Sequence, residues 1–442
     1  MKKLALLTFA ALLLAALTAC MGGYSSGHQP RPIIPPSAPV DFPDPTPRPT
    51  PVPTPEPPRI MPDLLVAGGT PGVRTANFNP ITAAEWAANV RMGWNLGNTL
   101  DAAGNTPEGF SWLGGGIYAD TTVAQMETAW QGHLTTRENF ETLAAAGFNA
   151  VRIPTTWFKA LDEDLNIRED WMDRVQQVVD WALDAGLMVI LNSHHDTGIF
   201  RLFDEYMYDS RYYLIRVWQQ IAYRFRDYDE RLIFNSLNEP RSPGTPAEWT
   251  GGTPEERNNL NILNQLFVDV VRASGGNNAY RVLLVPTYAA STSNPAMNGF
   301  VLPADTVPDR IAVALHIYSP YGFALQTGDG SGIITHWDPE VASHTNAFAT
   351  PLNNAHTRFI SQGIPVVLSE MGALNRGYEE PRAVWAYHFV SFARSLGMPT
   401  FWWDNNSHGV STGSSETFGI LHRQTNDWPF PLIIDALMRA TE

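Results

Sequence analysis

Two glutamates close apolar runs of the chain: Glu239 in Leu237-Asn238-Glu239-Pro240 and Glu370 in Leu368-Ser369-Glu370-Met371-Gly372. A carboxylate at the end of an apolar segment is costly unless it is solvated, paired or used. Asn98, Asp101, Arg152, His194, His195, Asn238, His316, Tyr318, Trp403 and Asp404 occupy comparable positions along the rest of the chain. Singly, Asn98 or Asp404 reads as a satisfied structural group; two glutamates, three histidines and an arginine together read as a site. Paired carboxyls supply what cleavage of a glycosidic bond requires, one protonating the leaving oxygen and the other attacking or stabilising the anomeric carbon. The two roles need opposite protonation states. Arg152 is expected to hold Glu370 ionised through a charge-assisted bond, with Tyr318 donating another. Glu239 is expected to stay protonated because a second anion nearby disfavours its ionisation. A metal hydrolase built on His194, His195 and His316 is a rival reading. Adjacent histidines on a strand point to opposite faces, however, and chelate poorly, so neither metal nor cofactor is expected.

These residues must be brought together by elements that end where they lie. Eight short apolar runs finish in polar or aromatic residues: Met92–Asn98, Ala150–Pro154, Val189–His195, Leu232–Pro240, Val282–Tyr288, Ala312–Pro320, Val366–Gly372 and Thr400–Asn406. That asymmetry fits parallel strands buried on both faces whose carboxyl ends open into a site. Helical segments alternate with them. Thr135 and Glu138 form an expected capping box for a helix closed by Gly147. Asp170 precedes a helix stopping at Gly186, and Thr253-Pro254-Glu255-Glu256 opens one that ends at Gly275-Gly276. Eight strand–helix units over residues 78–442 predict an α/β fold, a (β/α)8 TIM barrel, whose mouth can hold two carboxyls at the retaining separation of about 5–5.5 Å. A doubly wound open sheet is the alternative, but no glycine-rich phosphate fingerprint follows the first run.

Residues 1–19, with Lys2 and Lys3 before an apolar stretch, read as a lipoprotein signal peptide, too short to span a membrane. Leu17-Thr18-Ala19-Cys20 resembles a bacterial lipobox, and Cys20 is the single cysteine of the chain, so its lipidation and an extracytoplasmic, membrane-anchored catalytic domain are expected. Residues 20–77 read as a linker: from Pro30 to Pro62, 15 of 33 residues are proline, favouring extended polyproline II over sheet or helix. The domain itself contains no disulfide. With 44 acidic against 29 basic residues the chain lacks the clustered cations that nucleic acid demands. A monomer acting on a polysaccharide is expected. Fourteen Trp, 14 Tyr and 21 Phe are mostly core, with a minority free to stack on sugar rings. Trp112, Trp249, Tyr321 and Trp337 fall in long loops and are expected to line a groove open at both ends.

Gly93-Trp94-Asn95-Leu96-Gly97-Asn98-Thr99-Leu100-Asp101, Gly147-Phe148-Asn149-Ala150-Val151-Arg152-Ile153-Pro154, Asn192-Ser193-His194-His195-Asp196, Asn238-Glu239-Pro240, His316-Ile317-Tyr318-Ser319-Pro320-Tyr321 and Ser369-Glu370-Met371-Gly372 occur in this order. The ordered set resembles glycoside hydrolase family 5, and the first and fifth motifs are similar to its subfamily 4. The resemblance runs from about Phe78 to near the C-terminus. It implies a retaining endo-β-1,4-glucanase acting on cellulose-type chains, mixed-linkage β-glucan or xyloglucan, with Glu239 as acid/base and Glu370 as nucleophile. It further implies Asn238 on the sugar 2-hydroxyl, Trp403 as a floor, Asn98 and Asp101 on sugar hydroxyls, and Arg152, His194, His195, His316 and Tyr318 as support. Met371 and Asn235 depart from the family pattern, where Phe and Glu are common. An endo-xylanase or mannanase of the same fold is one alternative. A non-catalytic sugar-capture lipoprotein is another, though capture needs no acid/base pair.

Overall fold

The computed structural model describes residues 62–64, 72, 74, 77–103, 121–328 and 330–442. The expected signal peptide, Cys20, most of the linker and Trp112 lie outside the described residues. Eight parallel strands close into a barrel in chain order: β1 (Gly93–Leu96), β2 (Ala150–Ile153), β3 (Met188–Asn192), β4 (Leu232–Asn235), β5 (Leu283–Ser291), β6 (Ile311–His316), β7 (Val366–Met371) and β8 (Thr400–Asp404). Pairing of Trp94 with Trp402 and of Asn95 with Trp403 seals β1 against β8, so the open-sheet alternative is excluded. Each predicted run overlaps its strand, although β3 and β6 begin one residue earlier than their runs and β5 continues three residues past its run. The other seven strands end sooner than their runs do, and there the polar tails are loops at the carboxyl end.

The barrel is packed, not hollow. Ala150, Ile190, Ile233, Leu284, Ala312, Ala314, Val367 and Phe401 form one buried cluster with Trp86 and Val90. Trp86 belongs to the helix Ala83–Asn89, opened by a capping box between Thr82 and Glu85. Its contacts fall near strand starts, so this helix covers the amino end and leaves the carboxyl end for chemistry. Phe401 fits because residue 93 is glycine: a Cβ there would stand 2.2 Å from the Phe401 ring.

The outer helices begin and end close to where the sequence signals place them. Thr253 caps Pro254–Ala273, with Pro254 at the first position and Glu256 completing the capping box. The box expected at Thr135 and Glu138 is displaced by one residue. Thr136 and Asn139 form it, and the Asn139 Oδ1 accepts from the Thr136 N–H at 3.0 Å. Thr135 instead gives its N–H to the buried Glu127 at 2.7 Å. Asp170 lies inside the first turn of Glu169–Asp184, whose N-cap is Arg168. Gly147 and Gly186 end their helices with φ of 106° and 86°, conformations in which a side chain would be strained. Among the described residues no helix is long and apolar enough to cross a membrane.

Candidate active site

The site is assembled from the carboxyl ends of the strands inward. Glu370 is the fifth residue of β7, and a register shift between β6 and β7 sets it opposite His316, the last residue of β6. Glu239 lies in the loop four residues beyond the end of β4, not on the strand itself. A carboxylate oxygen of Glu239 and one of Glu370 fall within 4.8 Å of each other, with a ring nitrogen of His316 between them. That spacing leaves no room for a water between the carboxyls and suits a retaining pair.

Glu370 is held from two sides. Arg152 Nη1 donates to Oε1 at 2.7 Å, and the Tyr318 hydroxyl donates to Oε2 at 3.0 Å. Burial, followed by the charge of Glu370, pushes the Tyr318 pKa well up, so the phenol remains a donor. Arg152 is itself immobilised: Nη1 also donates to Asn95 Oδ1 at 3.0 Å and Nη2 to Asn238 Oδ1 at 2.6 Å. Asn95 in turn donates to the Ser369 carbonyl at 3.0 Å, tying β1 to β7. Because Arg152 takes the Asn238 oxygen, the Asn238 amide nitrogen is turned the other way as a donor. Asn235 lies beneath, donating to the carbonyls of Leu237 and Leu284 at 3.1 and 3.2 Å.

The protonation of Glu239 departs from expectation. Burial favours its neutral form and is the largest single influence. The hydrogen bond and charge of His316, then Arg241 and His195, outweigh it and hold the carboxyl well below the usual range. His316 Nδ1 lies 2.8 Å from Glu239 Oε1 and 3.6 Å from Glu370 Oε2, so this ring nitrogen faces both carboxyls. A third carboxyl, Glu416 in the loop after β8, is pushed up to about 7 by burial and then by the charges of Glu239 and Glu370.

His194 and His195 do not diverge as strand residues would. They follow β3 by two and three residues, outside the strand, and both turn their Nε2 toward Asp101 Oδ2, at 4.0 and 3.8 Å. His194 stacks parallel on Trp403 with ring centroids 5.5 Å apart. Burial, then His195 and Arg152, hold His194 well below its ordinary pKa, so it is a neutral ring. Asp101 is fully buried. It accepts the N–H groups of Asn98 and Thr99 at 3.0 and 2.6 Å, fixing the turn in which Asn98 takes a φ of 57°. Asn98 stays partly exposed. Asp404 is structural as expected, accepting from the Trp94 indole, the Ile420 and Leu421 N–H groups and Arg423.

Among the described residues, two clusters carry donor atoms close enough to hold a cation: Asp101 with His194 and His195, and Glu239 with His316 and Glu370. Arg152 and Arg241 bear on the second, and Lys159 lies beside Asp101 in the first, so positive charge opposes a divalent ion at both.

Of the aromatics expected to line the groove, Trp249 and Tyr321 are about half-exposed. Trp337 is buried, packed against Phe348, His344 and His388, and is not a platform. Trp130, which periodicity did not single out, is exposed with its ring centroid 5.2 Å from that of His195. Arg241 was also missed, although it stands two residues after Glu239 and its Nη1 lies 3.4 Å from Glu239 Oε2.

Comparison with known proteins places this geometry in a family. The family model described as "Cellulase (glycosyl hydrolase family 5)" matches residues 116–409. Endoglucanase B of Neocallimastix patriciarum is 40% identical over 361 residues, 81% of this chain and 72% of that protein. A GH5-4 broad specificity endoglucanase from Ruminococcus champanellensis, solved with bound cellotriose, is 38% identical with a TM-score of 0.75, covering 82% of this chain and all of that one. A GH5 xyloglucan-specific endo-β-1,4-glucanase from a metagenomic library, also in complex with cellotriose, is 37% identical with a TM-score of 0.71, covering 80% and 98%. With eight strands in one closed barrel and two glutamates facing each other at its mouth, the chain belongs to glycosyl hydrolase family 5.

Proposed function

We propose that the chain is a retaining endo-β-1,4-glucanase, and the observation that carries this reading is the close Glu239–Glu370 pair with Arg152 and Tyr318 fixed on Glu370. Glu370 attacks the anomeric carbon while the bond to the leaving oxygen breaks, and that oxygen takes a proton from Glu239. The glycosyl ester on Glu370 is then cleaved by water, whose proton passes to Glu239 as its oxygen bonds to the anomeric carbon and Glu370 departs as carboxylate. Asn238, donating through its amide, suits the 2-hydroxyl of the sugar undergoing cleavage. Trp403 suits the floor beneath it, with His194 stacked behind. His195, Asn98 and Trp130 extend the surface away from the cleaved bond.

The substrates that fit are unbranched β-1,4-glucan, mixed-linkage β-glucan and xyloglucan, bound through the middle of the chain with exposed aromatics such as Trp249 and Tyr321 stacking on successive rings. On carboxymethylcellulose and these two glucans, viscosity is expected to collapse while few reducing ends appear. Release of single glucose units with viscosity preserved is incompatible with internal cleavage, and activity on xylan or mannan in preference to glucan would displace the substrate assignment.

Export and lipidation at Cys20 form the second part of the proposal. The lone cysteine closes a lipobox-like motif, and the proline-rich segment after it serves as a semi-rigid spacer. Cys20→Ala is expected to move activity from the membrane fraction to the soluble one without changing its specific value. Retention of the variant protein in the membrane would rule out an anchor at this cysteine.

A further inference from the structure

The acid/base carboxyl has two distinct edges. Oε1 meets His316, which also faces Glu370, so this edge looks toward the sugar that becomes bound to the enzyme. Oε2, the oxygen not hydrogen-bonded to His316, meets Arg241 Nη1 at 3.4 Å, and in the proposed reaction this edge is the one left for the leaving sugar. At that distance the contact is chiefly electrostatic. Arg241 is built into place. Nη1 also donates to the Glu239 carbonyl at 3.1 Å, and Nε donates to Glu248 at 3.0 Å. Glu248 is buried and fixed by the Gly244 N–H at 2.8 Å. The guanidinium lies over the Trp249 ring, 4.5 Å from its centroid, while Trp249 remains 51% exposed. One face of the indole is thus backed by a cation and half of its surface is open.

We propose that Arg241 is a positioning residue that favours the anionic form of Glu239 for the water-activating step and sets Trp249 as the first stacking platform for the leaving sugar. This rests on Glu239 as the acid/base. The second chemical step needs Glu239 as an anion, and a fixed cation at Oε2 supplies that bias without blocking the edge that meets His316. A single clamp, Glu248–Arg241–Trp249, then ties leaving-side binding to the group that serves the leaving oxygen. Glu239 is also faced by His195 after β3, Tyr318 after β6, Glu370 on β7 and Glu416 after β8, none of which the variants below alter.

The test is the pH dependence of kcat/KM on an unactivated cello-oligosaccharide for the intact native chain, Arg241→Gln and Arg241→Lys. Removing the cation raises the proton affinity of the Glu239–His316 pair. The alkaline limb in Arg241→Gln is therefore expected to move up by about one pH unit, and Arg241→Lys to keep the native limb. A merely structural role would lower the rate in both variants and leave the limb in place, which would overturn the proposal. Trp249→Ala, at a half-exposed position, gives a second readout that does not depend on the folding of Arg241→Gln. Transfer of a cellobiosyl unit to added cellobiose, relative to hydrolysis, is expected to fall about tenfold. An unchanged ratio would remove Trp249 from the leaving side and overturn the clamp. A native profile with no alkaline limb would instead count against Glu239 as the acid/base, and the proposal would fall with it.

Discussion

Glu370→Ala is expected to lower turnover of an unactivated β-glucan by at least about 10⁴-fold, because no glycosyl ester can form. Removing the side chain opens a small space beside Arg152 and Tyr318, both of which lose the group they hold. Azide fits such a space, carries the negative charge that Arg152 is placed to meet, and attacks from the face the carboxylate used. Added azide is therefore expected to restore product formation as a glycosyl azide of inverted configuration, with Glu239 still delivering the proton. Near-normal hydrolysis without azide would remove Glu370 from the reaction. Glu370→Gln is a useful companion: it keeps the shape, so its loss of activity cannot be assigned to collapse of the pocket.

Glu239→Ala is expected to separate the two chemical steps. On glucan, where the leaving oxygen is a sugar hydroxyl that cannot depart as an anion, kcat should fall by about 10²–10⁴-fold. With a dinitrophenyl cellobioside the leaving phenolate needs no proton, so the first step should persist while the second lacks its base. The expected signature is a burst of phenolate equal to the enzyme present, followed by slow turnover. Equal losses on both substrates, with no burst, would show that Glu239 serves neither proton transfer. Glu239 is flanked by His316 on Oε1 and by Arg241 on Oε2. Against its burial, the two hold its carboxyl low.

The barrel was legible because its physics is repetitive. Parallel strands buried on both faces must be apolar along their length, and strands whose ends open into a site must finish in polar residues, so all eight could be placed from the runs alone. Thr253-Pro254 and Gly147 were legible for an equally local reason, since caps are written in the residues that make them. What escaped was set by loops. The alternation of a strand separates neighbouring side chains, but His194 and His195 lie just beyond β3, where alternation no longer holds, and both face Asp101. Trp337 was expected at the surface because it lies in a long loop, yet that loop folds its indole onto Phe348 and His388. Trp130 and Arg241 belong to no periodic segment, so nothing in the pattern distinguished them from other surface residues. Arg241 had one signal available: a cation two positions from a catalytic carboxylate is close enough to act on it whatever the loop does.

The retaining assignment stands on a covalent bond between Glu370 and the sugar, and that bond can be observed. A 2-deoxy-2-fluoro cellobioside with a dinitrophenolate leaving group slows both steps through its fluorine, which destabilises positive charge at the anomeric carbon, while the good leaving group keeps the first step faster than the second. Incubated with the intact enzyme and followed by mass spectrometry of the whole chain and of its proteolytic fragments, it is expected to add one fluorocellobiosyl unit per chain, on the fragment containing Glu370, as activity disappears. Loss of the adduct on adding cellobiose as an acceptor should return activity at the same rate. An adduct on any other residue, or full inactivation with no covalent mass, would contradict Glu370 as the nucleophile.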